Sequence, residues 1–117
     1  MAKPEPVTFL PLRPVEFQVL LSLAQGERHG YGIMQEALAL SEGATLLEPG
    51  TLYRALRRML QAGLVAESAR RPDPDKADER RRYYRLTDLG RRVASAEAAR
   101  MQRLVGAARA YRLLGKA

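Results

Sequence analysis

The run Pro49-Gly50-Thr51-Leu52-Tyr53-Arg54-Ala55-Leu56-Arg57-Arg58-Met59-Leu60-Gln61-Ala62-Gly63 restricts the fold more than any other part of the chain. At helical period Leu52, Ala55, Leu56, Met59 and Leu60 fall on one face, an apolar stripe that must be buried. Thr51, Tyr53, Arg54, Arg57, Arg58 and Gln61 fall on the other. Pro49 suits a first helical turn, where its missing N–H costs little, and Gly63 suits the left-handed position that ends a helix. No acidic residue lies between Thr51 and Ala66, so the three arginines find no i,i+4 partner along the helix. A solvated surface is the ordinary fate of a charged helix face. An arginine face without acids points instead to a polyanion, and nucleic acid fits that description.

The charge distribution agrees. The chain of 117 residues carries a net charge of +7, and residues 51–92 hold 12 Lys+Arg against 6 Asp+Glu. Nearly all the excess therefore surrounds this one helix, a localised field that attracts a polyanion and speeds its encounter. With 46% hydrophobic residues, one domain around a single modest core is expected. No apolar run reaches the roughly 18–20 residues of a membrane span, and Met1-Ala2-Lys3-Pro4-Glu5-Pro6 lacks a secretory pattern. A cytoplasmic protein with no membrane partner is the expectation.

The same inventory argues against an enzyme. There is no cysteine, no glycine-rich phosphate loop and no Gly-x-Ser-x-Gly elbow, so no nucleophile–base pair can be named. His29, the single histidine, cannot build a metal site without carboxylates at suitable spacing, and is expected to bond backbone at a turn. Asp73, Asp75, Asp78 and Glu79 lack the glycine and terminal glutamate of a calcium loop, and read as solvated loop. Neither metal nor cofactor is expected.

In chain order, residues 1–13 read as an extended arm with Pro4, Pro6 and Pro11. Pro14 opens a first helix to about Gln25, with Phe17, Leu20, Leu21 and Ala24 as its core stripe. Val15, Val19 and Leu23 make a second apolar side that needs its own cover. His29-Gly30-Tyr31-Gly32 is a tight turn into a second helix to about Leu40, with Ile33, Met34, Ala37 and Leu38 inward. Ala44 to Leu47 reads as a strand stub before the central helix. Leu64 to Ala69 and Arg82 to Leu86 read as strands of one hairpin, from apolar content in the first and paired tyrosines in the second. The loop between them has an acidic tip with arginine shoulders, Arg70, Arg71, Arg80, Arg81 and Arg82, which suit a phosphate backbone. Thr87 is an N-cap, followed by Asp88 in the first turn of a last helix to about Leu113. Leu89, Val93, Met101, Leu104, Val105, Ala108 and Tyr111 form its apolar seam, longer than one small domain can cover, and a second copy is the economical partner.

The sum is mainly α with a small β-hairpin. It is a winged helix-turn-helix over residues 14–86, with a long C-terminal dimerisation helix over 87–117. At this point the chain resembles the PadR family of bacterial transcriptional regulators. The resemblance rests on His29-Gly30-Tyr31-Gly32-Ile33, on Pro49 to Met59, and on Arg82-Tyr83-Tyr84-Arg85-Leu86-Thr87-Asp88-Leu89-Gly90, and spans about residue 12 to the C-terminus. It implies a homodimeric repressor with a short, single-helix C-terminal region. It also implies that Thr51, Tyr53 and Arg54 meet the major groove and the wing meets adjacent phosphate. The arm before Pro14 and the acidic wing are longer than in the family pattern. The terminal half has no tryptophan, so the aromatic drug slot of multidrug-sensing members is not supported.

The expected function is thus sequence-specific binding of double-stranded DNA on a palindromic operator. Arg57 and Arg58 join the contacts, and a small-molecule effector releases the DNA. Its expected crevice lies between the first and terminal helices, at Phe17, Leu21, Met101 and Tyr111, along the dimer seam of Leu104, Val105 and Ala108. The alternative is a winged-helix interaction or accessory module whose basic face meets an acidic partner.

Overall fold

The computed structural model describes residues 4–68 and 82–115. A 3₁₀ helix at Pro6–Phe9 comes first, so the expected extended arm is partly coiled, and it packs against the last helix. Pro6 at its start fixes φ, and the Thr8 N–H donates to the Glu5 carbonyl at 3.0 Å and the Leu10 N–H to the Val7 carbonyl at 3.2 Å. Helix α1 (Pro14–Leu23) opens on Pro14, and the Arg13 N–H donates to Glu16 Oε1 at 3.1 Å. The helix stops two residues earlier than expected, ahead of Gly26 with its φ of 154°.

The face that α1 buries also differs from the expectation. Val19, Leu20 and Leu23 are in the core, whereas Leu21 is exposed and Phe17 and Ala24 are half-buried. A helix apolar on two sides carries no period that tells them apart, and packing against the two helices that follow decides between them.

Strand β1 (Arg28–His29) lies where a turn was expected. Helix α2 (Gly30–Leu40) follows with Ile33 and Ala37 buried, Met34 half-buried and Leu38 exposed. Residues 44–47 form no strand; Leu47 anchors this irregular stretch in the core. Helix α3 (Pro49–Ala62) buries Leu52, Ala55, Leu56 and Met59, the expected stripe, and ends at Gly63 with φ of 80°. Strands β2 (Val65–Glu67) and β3 (Tyr83–Leu86) pair antiparallel, with Val65 opposite Leu86 and Glu67 opposite Tyr84. β1 adds to the other side of β3, Arg28 opposite Tyr84, giving a three-stranded sheet of order β1-β3-β2 rather than a bare hairpin.

Helix α4 (Asp88–Ala110) begins as expected, with the Thr87 hydroxyl accepting the Gly90 N–H at 2.9 Å. The same hydroxyl donates to the Gly63 carbonyl at 2.6 Å, and the Thr87 N–H donates to the Leu64 carbonyl at 3.1 Å. One threonine thus starts α4 and pins it to the corner where α3 turns into β2. Its 23 residues span about 35 Å. Among the described residues, no helix is long and apolar enough to cross a membrane.

Candidate nucleic-acid interface

The arginine face of α3 stands outward because the helix's other face is fully committed. With Leu52 and Ala55 at 0% exposure, the helix cannot rotate, and Tyr53, Arg54 and Arg57 are left in solvent. Arg54 lies back along the first turn, its Nη2 donating to Thr51 Oγ1 at 3.4 Å while Nη1 passes close over Gly50. The side chain of the N-cap residue Glu48 makes no capping hydrogen bond among the described residues. Among the described residues neither Arg54 nor Arg57 has an acidic partner within 4.0 Å.

Arg58 is different. Its Nε lies 3.4 Å from Glu16 Oε2, and Glu16 uses its other oxygen to cap α1. The helix carries no acid of its own, yet α1 supplies one from 42 residues away. Arg58 therefore ties α3 to α1, and among the described residues Arg54 and Arg57 are the two arginines of this face without an acidic partner.

Tyr53 is half exposed, and its hydroxyl lies against Gly30 at the start of α2; a methyl at Gly30 would overlap it. The glycine of the His29-Gly30-Tyr31-Gly32 run is thus explained by the tyrosine of the central helix. Gly30→Ala is expected to cost no more than about 1 kcal/mol, the low end of overpacking, because the atom it meets is the tip of a half-exposed side chain that can swing aside. Tyr53→Phe in the same chain should recover part of that loss, since it removes the colliding oxygen. Denaturant melts of the three variants check this, and a Gly30→Ala protein as stable as wild type would contradict it. Beside this contact, His29 caps α2 by accepting the Gly32 N–H on Nδ1 at 3.0 Å, the backbone bond expected of it. Its ring meets Tyr83 edge-on at 5.3 Å.

Between α3 and the base of the wing runs a groove of about 430 Å³, lined by Tyr53, Leu56, Arg57, Leu60, Glu67, Arg82 and Tyr84. Arg82 Nη1 meets Glu67 Oε1 at 3.0 Å across it. Burial, helped by the nearby Tyr53 and Glu67, holds the Tyr84 phenol above its usual pKa, with Arg82 opposing. Glu67 and Tyr84 were not among the expected site residues. The i, i+2 spacing of Arg82, just before β3, and Tyr84 on it was the available signal, since an extended chain puts both on the same face. The other wing arginines, Arg70, Arg71, Arg80 and Arg81, lie outside the described residues, as does the acidic tip.

At the expected dimer and effector surface, Phe17 packs on the core and Met101 and Ala108 are half-buried. Leu21, Leu104, Val105 and Tyr111 stand exposed in the protomer. Nearer the start of α4 the seam is interrupted by Glu97, whose side chain is 0% exposed. Its Oε2 accepts the Leu12 N–H at 2.7 Å, and Arg100 donates to both oxygens through Nε and Nη2. Arg100, together with the Leu12 N–H, holds this carboxyl below the usual range against the opposing effect of burial.

The geometry can be compared with known proteins. The fold is similar to that of a transcriptional regulator from Clostridium thermocellum, with a TM-score of 0.69 and 21% identity over 83% of this chain and 88% of that one. A PadR family transcription regulator from Clostridium difficile matches at TM-score 0.67 and 21% identity, covering 83% and 96%. A PadR-like transcription factor from Bacteroides fragilis matches at 0.66 and 23%, covering 83% and 88%. A search of curated proteins gave no match. The profile of the transcriptional regulator PadR-like family matches residues 19–96, from α1 through the sheet and into α4. The chain belongs to the PadR-like family of transcriptional regulators.

Proposed function

We propose that the protein is a DNA-binding transcriptional regulator of the cytoplasm, a homodimer that represses from a palindromic operator and is released by a small-molecule effector. The observation that carries this reading is the outward face of α3, where Arg54 and Arg57 stand in solvent without acidic partners among the described residues. A two-fold dimer sets two such helices about 34–36 Å apart, one turn of B-DNA. Thr51 on the first turn and Arg54 on the second reach base edges, and Arg57 and the wing hold phosphate. The exposed Leu104 and Val105 on α4, with Tyr111 at its C-cap, support a second copy as the cover of that seam. An effector in the crevice between α1 and the paired α4 helices acts by favouring a different angle between subunits, which changes the spacing of the two α3 helices.

Arg54→Ala is expected to weaken operator binding by about 1–3 kcal/mol. Arg58→Ala, by contrast, should act on the fold, costing up to about 1 kcal/mol of stability because a partly exposed ion pair contributes little. Fluorescence anisotropy titration of a labelled duplex and a parallel denaturant melt separate the two. Unchanged affinity for Arg54→Ala would remove that residue from the interface.

A further inference from the structure

The groove between α3 and the wing contains an acid where every other functional expectation calls for positive charge. Glu67 sits on the last position of β2, directly opposite Tyr84, and holds Arg82 at 3.0 Å. Both side chains are well exposed, at 48% for Glu67 and 68% for Arg82, so the pair is not needed to bury either charge. Exposed pairs of this kind contribute little to stability and are readily exchanged. Arg57 lines the same groove and has no acid of its own among the described residues. Leu56 and Leu60 give the groove an apolar wall, and Tyr53 and Tyr84 add two phenols. Two arginines thus line one groove, and a carboxylate occupies one of them as an oxyanion would.

We propose that Glu67 is a placeholder for a DNA phosphodiester: the backbone phosphate enters the groove between Arg57 and Arg82 and takes Glu67's place on the Arg82 guanidinium. This rests on the DNA-binding reading above and deepens it. Arg82 changes partner, from carboxylate to phosphate, and Glu67 turns to water. The carboxylate keeps Arg82 extended and positioned while DNA is absent, and repels phosphate until the pair opens. Its effect is to weaken binding to duplex DNA of any sequence. Phosphate contacts carry no sequence information, so the restraint falls equally on operator and random DNA.

The test is a double-mutant cycle on Glu67→Gln and Arg82→Gln, read by anisotropy with a random-sequence duplex at about 0.1 M salt, where charges a few ångströms apart are incompletely screened. Glu67→Gln alone is expected to tighten binding roughly three- to tenfold, the scale of one nearby charge in water. In the Arg82→Gln background the same change is expected to give less than about a twofold gain, because no partner remains to be freed. A full gain in that background would make Glu67 a distant repulsive charge and overturn the placeholder role. No gain in either background would also overturn it, while leaving the DNA reading intact provided the wild-type protein binds. Failure of both wild type and Glu67→Gln to bind any duplex would sink the DNA reading and this proposal with it.

Discussion

Gly90→Ala is expected to destabilise the protein by about 3 kcal/mol, at the upper end of overpacking costs. At most helical positions the exchange favours the helix by up to about 1 kcal/mol, because alanine loses less backbone entropy than glycine. Here the sign reverses. A methyl on Gly90 would overlap the Leu64 carbonyl and press on Leu86 Cδ1 at 3.0 Å. The carbonyl cannot retreat, since it accepts the Thr87 N–H and belongs to the corner held by the Thr87 hydroxyl. Moving α4 instead would break the cap that starts it. Because this corner joins the recognition helix, the wing and α4, the variant should lose duplex binding at temperatures where wild type is folded. A denaturant melt gives the stability, and a midpoint at or above that of wild type would refute the close approach.

Glu97 is expected to matter almost as much. Glu97→Ala leaves the Leu12 N–H without an acceptor and Arg100 without its partner, for a loss of about 2–3 kcal/mol. The pH dependence follows from the depressed folded-state pKa of this carboxyl, caused first by the Arg100 hydrogen bonds. The folded state favours the ionised form more than the unfolded chain does. The contribution is therefore complete above the unfolded glutamate pKa, about 4.3. It is lost as pH falls through the lower folded value. Glu97→Gln should accordingly be less stable than wild type at pH 7, with the gap closing as pH drops below about 4. A gap independent of pH, measured by urea melts across that range, would mean that the charge is not what Glu97 contributes.

How much of this was legible in the sequence depended on whether a signal was local. Helix α3 was readable to within a residue because proline, glycine, an apolar period and a polar face agree within one segment. Thr87 was equally readable, as a cap followed at once by an acid. The buried side of α1 was not, since Val15, Phe17, Val19, Leu20, Leu21 and Leu23 leave no clean period to choose from. β1 was missed because two residues, Arg28 and His29, are too short for alternation to register, and their partner lies 50 or more positions later. Glu97 carried no local signal among the neighbouring alanines, because its partner is a backbone N–H 85 residues away. Of the candidate site, the arginine face was visible from charge alone. That Arg58 is taken by Glu16, and Arg82 by Glu67, required the tertiary fold.

The claim on which the rest depends is that α3, doubled by a second copy, reads duplex DNA. Selection of bound duplexes from a random pool tests it most directly. The expected result is enrichment of an inverted repeat whose half-sites are about 10 base pairs apart, centre to centre. A pool that stays random after repeated rounds, with the protein running as a monomer or preferring an acidic protein partner, would contradict it.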